Sequence, residues 1–200
     1  CMGLYDAVER MHGVTYSSAG AQTRRYDSGM GRSGLEDCMV WARGPKVDPA
    51  VKAKLTADQI AAIYAWTGTE VCYVTTSLMR DPNRSRESVM PCLYYLRLLL
   101  TALHSLPKEY VYTGRLFRGE KGVRPNFNER IKKDSTVPFF QLTSFSTNYN
   151  VALDFMKIKE RPNQPCTLYQ IENGVGYNVK NFSRFPKEDE ILMEGVLLTK

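Results

Sequence analysis

The sequence lacks any apolar run long enough to cross a membrane. A spanning helix needs about 20 consecutive apolar residues, and the longest run here, around Leu96–Leu100, is interrupted by Arg97. There is also no low-complexity tract, no internal repeat and no secretory leader pattern at the start. The first residue is Cys1 rather than Met, which is typical of a processed or excised chain. We therefore expect no membrane span.

Metal-binding patterns are also missing. The chain has five cysteines and two histidines, and no C-x-x-C pair. Zinc sites need tightly spaced ligand pairs, so we expect no metal. One or two disulfides would be compatible with an exported protein, but the count fixes neither pairing nor compartment. The five cysteines are Cys1, Cys38, Cys72, Cys92 and Cys166.

The charge is moderately positive, with 27 basic and 21 acidic residues and a net charge of +6. A basic surface favours anionic ligands, which include both a dinucleotide diphosphate and nucleic acid. Because the basic residues are scattered rather than blocked, nucleic acid is the less favoured partner. With 200 residues, 43% of them hydrophobic, the chain is large enough for one domain with a sizeable core.

The first 44 residues are rich in Gly, Ser and Arg and show weak periodicity. We predict a short helix around Tyr5–Met11, followed by irregular chain. Gly29–Gly34 spells the dinucleotide fingerprint G-x-G-x-x-G, but Arg24-Arg25-Tyr26-Asp27 precedes it instead of a buried strand. We therefore interpret Gly29–Gly34 as a flexible loop and reject a Rossmann fold.

Three helices are predicted next. Thr56 to Gln59 has the form of a capping box, and Ile60, Ile63 and Tyr64 follow at helical spacing. Ser88–Leu106 carries a leucine stripe at helical spacing, with Pro91 tolerated in its first turn. The segment Val71–Arg80 between them is rich in strand formers, and only the family resemblance described below indicates a helix there.

From Tyr110 onward the pattern changes to short β-rich runs, with Asn173-Gly174 among the turn signals between them. Helices first and strands afterwards indicate an α+β fold. The predicted strands are Tyr110–Phe117, Val137–Ser146, Cys166–Ile171, Tyr177–Val179 and Glu190–Leu198.

One strand ends in two serines. An apolar run leads into Ser144-Phe145-Ser146, and a helical pattern begins after Thr147 or Asn148, either of which suits an N-cap. Alternation puts both serines on one face. Alone, such a pair is more often a solvated edge than a site. Two further patterns change that balance: a strand that ends at Arg118-Gly119, and Glu188 and Glu190 just before an apolar strand.

Together these segments resemble the arginine–serine–glutamate group of mono-ADP-ribosyltransferases, which includes vertebrate ecto-enzymes and bacterial toxins. The matching stretches are LFRG, SFSTNYNVALDF and FPKEDEIL, and the resemblance runs from Thr56 to Leu198. It implies a helical N-terminal part packed on two facing, mostly antiparallel sheets with an NAD cleft. It also implies secretion or surface display, and further strand beyond Lys200. We expect a single catalytic domain over 1–200, with an extension over 1–55, a helical part over 56–106 and a β-rich part over 107–200.

The resemblance assigns roles around NAD, which is a substrate here. Glu190 matches the catalytic glutamate, which holds the ribose hydroxyl beside the bond that breaks. Ser144 matches the serine that orients that glutamate, and Arg118 matches the arginine that anchors the cofactor. The neighbouring residues Gly119, Phe145 and Ser146 complete the predicted cofactor site.

Glu188 matches the acceptor-binding position, where glutamate goes with arginine as the acceptor. On a strand, Glu188 and Glu190 would share one face, and their repulsion would raise one pKa. The preceding loop would meet the target protein through Phe182 or Phe185. Two alternatives remain: an NAD glycohydrolase that uses the same cleft, and an inactive module that binds a partner or nucleic acid.

Overall fold

The computed structural model describes residues 3–17, 23–68, 70–80, 85–123, 132, 136–139, 142–158, 160, 162–195 and 197–199. The chain divides into two compact units. The first, here called the helical unit, holds Cys1–Lys108 and Asn181–Phe185, and the second, the strand unit, holds Glu109–Lys180 and Pro186–Lys200.

The described elements of the helical unit are six helices and a two-stranded antiparallel ribbon. The helices are α1 (Leu4–Glu9), α2 (Ser28–Arg43), α3 (Pro49–Lys52), α4 (Ala57–Trp66), α5 (Glu70–Met79) and α6 (Arg86–Ser105). The ribbon pairs β1 (Thr15–Ser17) with β2 (Thr23–Arg25).

The three helices predicted after residue 55 are confirmed. Thr56 and Gln59 form the reciprocal capping box at the start of α4. The Tyr95 hydroxyl on α6 donates a hydrogen bond of 2.9 Å to the Ala62 carbonyl, which joins α6 to α4 in the buried core. Helix α6 begins at Arg86, two residues earlier than predicted, so Pro91 lies in its second turn.

The prediction of irregular chain before residue 44 is wrong. Gly29–Gly34 lies in the first part of α2, not in a loop. The later residues Leu35, Cys38, Met39 and Ala42 are buried at helical spacing, and this packing stabilises a segment with poor helix propensity. The rejection of a Rossmann fold is confirmed, because every strand pair in the described residues is antiparallel.

In the strand unit, four antiparallel strands close in the order β3-β5-β7-β6, and β4 pairs separately with β8. The α+β fold is therefore confirmed. The strands are β3 (Val111–Lys121), β4 (Thr136–Pro138), β5 (Thr143–Ser146), β6 (Cys166–Asn178), β7 (Glu190–Met193) and β8 (Leu197–Thr199). Helix α7 (Tyr149–Met156) follows β5. The predicted strand Val137–Ser146 thus overlaps β4 and contains β5, and residues 140–141 lie outside the described part.

The predicted turn at Asn173-Gly174 is wrong, because β6 runs through it and pairs with β3. Gly174 lies opposite Gly114, beside an irregularity in the β3–β6 register. A Cβ atom on Gly174 would lie 2.5 Å from Leu116 Cδ1. Glycine is therefore required there by the close approach of a core side chain and not by a turn.

The core of the strand unit comes from alternate residues of its strands. Phe145 on β5 and Ile191 on β7 face the core. Because side chains alternate along a strand, Ser144, Ser146 and Glu190 lie on the opposite face of the same two strands. The Asn148 side chain caps α7 by accepting the Asn150 N–H at 2.9 Å, as one of the two predicted N-caps. The core residues are Leu116, Phe139, Phe145, Tyr169, Ile191 and Met193.

The described cysteines, Cys38, Cys72, Cys92 and Cys166, are free thiols, so none of the disulfides considered above joins them. Cys1 lies outside the described residues. No helix among the described residues combines the length and the apolar character that a membrane crossing requires.

Candidate active site

Arg118 lies inside β3, which continues to Lys121, and not at the strand end as predicted. Its Nε donates a hydrogen bond to Glu120 Oε1 at 3.0 Å, and its Nη1 donates to the Ser144 carbonyl oxygen at 2.7 Å. The second bond holds the guanidinium beside β5. The structure thus brings Arg118 and Ser144 together.

The two serines of β5 make different contacts. The Ser146 hydroxyl is buried; it donates to the Glu188 carbonyl oxygen at 2.6 Å and accepts the Asn148 N–H at 3.0 Å. The Ser144 side chain lies close enough to the Glu190 carboxyl group to lower its pKa by hydrogen bonding. Ser146 therefore fixes the chain before β7, whereas Ser144 contacts the acidic group itself.

Glu190 begins β7 directly opposite Ser146, and only 7% of it is exposed. Burial is the largest influence on this carboxyl group and raises its pKa to about 7. The hydrogen bond from Ser144 and the charge of Arg118 favour the ionised form, while the charge of Glu188 opposes it. Glu190 is thus an acid that changes charge near neutral pH, as expected for groups in catalysis.

Glu188 does not lie on the same strand as Glu190. It ends a short 3-10 helix, Pro186–Glu188, and Asp189 then adopts a left-handed conformation with φ of 47°. The predicted shared strand face is therefore wrong, because alternation holds only along extended chain. Aspartate tolerates this conformation better than most residues, and its side chain forms an ion pair with Lys180. Burial raises the pKa of Glu188.

Two predicted cofactor residues have structural roles. The Phe145 side chain is 3% exposed and its ring centre lies 6.2 Å from that of Phe139, so only its backbone can reach a ligand. Gly119 lies against α7: a Cβ atom there would be 1.9 Å from the Ala152 carbonyl oxygen. Glycine between Arg118 and Glu120 thus lets α7 approach β3.

The two aromatic residues of the predicted target loop belong to the helical unit and differ in exposure. Phe182 is buried, and its ring centre lies 6.1 Å from that of Trp41 in an edge-to-face arrangement, so this ring cannot meet a target in the described structure. Phe185 is 52% exposed. Between them, the Arg184 guanidinium lies over the Tyr64 ring, 5.1 Å from its centre. The role of Phe185 stays a prediction.

Two features near the site had little or no sequence signal. Glu120 belongs to no predicted motif, and its one available signal is its spacing of two from Arg118, which puts both side chains on one strand face. The left-handed Asp189 carried no signal.

Among the described residues, no group of three or more His, Cys, Asp or Glu side chains could hold a metal ion.

Among known protein families, the one described as NAD:arginine ADP-ribosyltransferase matches residues 36–197. The NAD(P)(+)–arginine ADP-ribosyltransferase 1 of Gallus gallus is 25% identical over 144 residues. This match covers 70% of the chain but only 42% of that curated relative, so the chain spans less than half its length.

Solved structures share the fold. HopU1, an ADP-ribosyltransferase of Pseudomonas syringae pv. Tomato DC3000, matches with a TM-score of 0.64 and 15% identity, over 98% of this chain and 88% of its own. The eukaryotic mono-ADP-ribosyltransferase ART2.2 matches with a TM-score of 0.65 and 19% identity, over 86% and 72%. At these identities the likeness concerns the fold alone.

Proposed function

Because this chain belongs to the NAD:arginine ADP-ribosyltransferase family, we propose that it transfers ADP-ribose from NAD to an arginine of a target protein and releases nicotinamide. The observation that carries the proposal is the buried Glu190 carboxyl group, which Ser144 contacts and whose charge Arg118 favours. Arg118, Ser144 and Glu190 lie on β3, β5 and β7, which are consecutive neighbours in the closed sheet.

Cleavage of NAD breaks the bond between the nicotinamide nitrogen and the ribose C1′. Nicotinamide leaves with the bonding electron pair, and positive charge develops on the ribose ring, as in glycoside hydrolysis. The Glu190 carboxylate offsets this charge. Its burial strengthens the effect, because a charge acts more strongly where water is excluded.

Arg118 is the proposed anchor for the NAD diphosphate. A guanidinium can grip two phosphate oxygens at once, whereas a lysine acts as a point charge. Its bonds to Glu120 and to the Ser144 carbonyl already fix the guanidinium. Holding the diphosphate restricts a flexible dinucleotide before reaction, which lowers the entropic part of the barrier.

Glu188 is the proposed contact for the acceptor arginine. Its carboxylate would pair with the acceptor guanidinium and receive the proton that is lost when the arginine nitrogen attacks C1′. The raised pKa of Glu188 supports this role, because it makes the carboxylate a better base. An ADP-ribosyltransferase of the same fold, Vis, has been solved in complex with the arginine analogue agmatine.

The test is incubation with NAD and a small acceptor, with nicotinamide and acceptor product measured together. Agmatine carries a guanidinium, and cadaverine is a matched amine without one. We expect ADP-ribosyl-agmatine and no cadaverine product. Nicotinamide release without agmatine product would instead identify a glycohydrolase. If no nicotinamide is released, the chain is an inactive member of the family and the proposal fails.

A further inference from the structure

Glu120 and Arg118 form a sheltered ion pair on β3. Arg118 Nε donates to Glu120 Oε1 at 3.0 Å, and the side chains are only 22% and 16% exposed. The neighbouring pair, Arg115 with Glu172, makes the same contact at 2.9 Å, but its side chains are 59% and 56% exposed. The Arg118 pair is therefore the less screened of the two. The Arg115 pair, which joins β3 to β6, serves as an exposed reference.

The contacts of Arg118 determine which side of its guanidinium can meet a ligand. A guanidinium is planar and has five N–H bonds in a fixed fork. In the part of the chain that the structure describes, Arg118 uses Nε for Glu120 and Nη1 for the Ser144 carbonyl. Two contacts from different nitrogens fix the plane of the group. The N–H bonds that remain, one on Nη1 and two on Nη2, make no hydrogen bond within the described residues and can donate to phosphate oxygens.

Glu120 is itself held by the core of the strand unit. The Tyr169 hydroxyl donates to Glu120 Oε2 at 3.4 Å. Tyr169 is 6% exposed and lies directly opposite Arg118 in the pairing of β3 with β6. Glu120 thus contacts both Arg118 and a buried residue of the core.

We propose that Glu120 is a positioning residue, which presets the Arg118 guanidinium to receive the diphosphate of NAD. This inference rests on the proposed function. The Glu120 carboxylate also repels a phosphate, so its charge works against binding while its hydrogen bond works for it. Removing the charge alone should therefore not weaken NAD binding, whereas removing the acceptor oxygen should.

Two variants separate these effects. Glu120→Gln and Glu120→Met both remove the charge and keep the side-chain length, but only glutamine retains an oxygen that can accept the Arg118 Nε–H. Titration of each with NAD by calorimetry gives Kd, and steady-state assays give KM and kcat. We expect NAD to bind Glu120→Gln at least as tightly as wild type. We expect NAD to bind Glu120→Met about tenfold more weakly than Glu120→Gln. In Glu120→Met the Arg118 side chain loses its contact at Nε, so NAD binding must also order that side chain.

The difference between Glu120→Met and Glu120→Gln should appear in Kd and KM more than in kcat. A general loss of structure would lower kcat as well. Glu172→Met is the control, since it removes the matching exposed contact, and its Kd should equal that of wild type. If Glu120→Met does not fold, Glu120→Ala takes its place in the same comparison with Glu120→Gln. Equal Kd values for the two Glu120 variants would overturn the inference alone. A wild-type protein that does not bind NAD would overturn the proposed function, and this inference with it.

Discussion

Replacing Glu190 with glutamine is expected to stabilise the protein at alkaline pH, although it removes the proposed catalytic carboxylate. Burial raises the pKa of Glu190 to about 7, from an ordinary value of 4.5. Below pH 4.5 the Glu190 carboxyl group is protonated in both the folded and the unfolded state, so it does not change the free energy of unfolding. As the pH rises from 4.5 through 7, the unfolded state ionises first, so the folded state loses stability.

The magnitude follows from the two pKa values. At about 1.4 kcal/mol per pKa unit, the difference between 4.5 and about 7 corresponds to roughly 3 kcal/mol of lost stability above pH 7. Glutamine has a similar shape and no charge, and it can keep a hydrogen bond with Ser144. Glu190→Gln should therefore be more stable than wild type by up to roughly 3 kcal/mol near pH 8, and equal to it near pH 4.

Urea unfolding near pH 4, 6 and 8 tests this, with circular dichroism as the probe. Tryptophan fluorescence is unsuitable because Trp41 and Trp66 both lie in the helical unit. Glu109→Gln is the control, since Glu109 is exposed on the strand unit and its replacement should change stability little. The reasoning is refuted if Glu190→Gln is no more stable than wild type near pH 8, or if the gain is as large near pH 4.

Two further predictions concern the site and its support. Ser144→Ala removes a hydrogen bond that favours the Glu190 carboxylate, so the acid limb of the kcat/KM profile should move up by about one pH unit; an unmoved limb would contradict the contact. Gly119→Ala places a Cβ atom 1.9 Å from the Ala152 carbonyl oxygen, so urea unfolding should show a loss of about 3 kcal/mol or more. The control Gly34→Ala meets nothing within 4 Å inside α2 and should be neutral or stabilising; equal effects of the two changes would refute the close approach.

Much of the site could be predicted because its signals are local. The Ser144-Phe145-Ser146 alternation needs only a strand with one core face, and the structure has Phe145 in the core as that pattern requires. Asn148 caps α7 through its own side chain, which depends on residues only two positions away. Such features can be predicted from the sequence because they depend only on neighbouring residues.

The features that were predicted wrongly depend on distant contacts. Helix α2 is stabilised by burial of its later residues. Its glycines and serines have low helix propensity, so the sequence of this segment does not indicate a helix. Gly174 looks like a turn residue, but its size is set by Leu116 from a neighbouring strand. The left-handed Asp189 forms an ion pair with Lys180, nine positions earlier. None of these contacts can be read from residue types along the chain.

The two glutamates give the most direct test of the central claim, that Glu190 acts on NAD and Glu188 on the acceptor. Nicotinamide release and agmatine labelling are measured side by side on Glu190→Gln and Glu188→Gln. Loss of the Glu190 charge should cost about 3–4 kcal/mol, or roughly a hundred- to thousand-fold in rate, in both reactions. Glu188→Gln should lose agmatine labelling but keep slow nicotinamide release, because water needs no guanidinium partner. The account is contradicted if Glu188→Gln abolishes nicotinamide release as fully as Glu190→Gln, or leaves agmatine labelling intact.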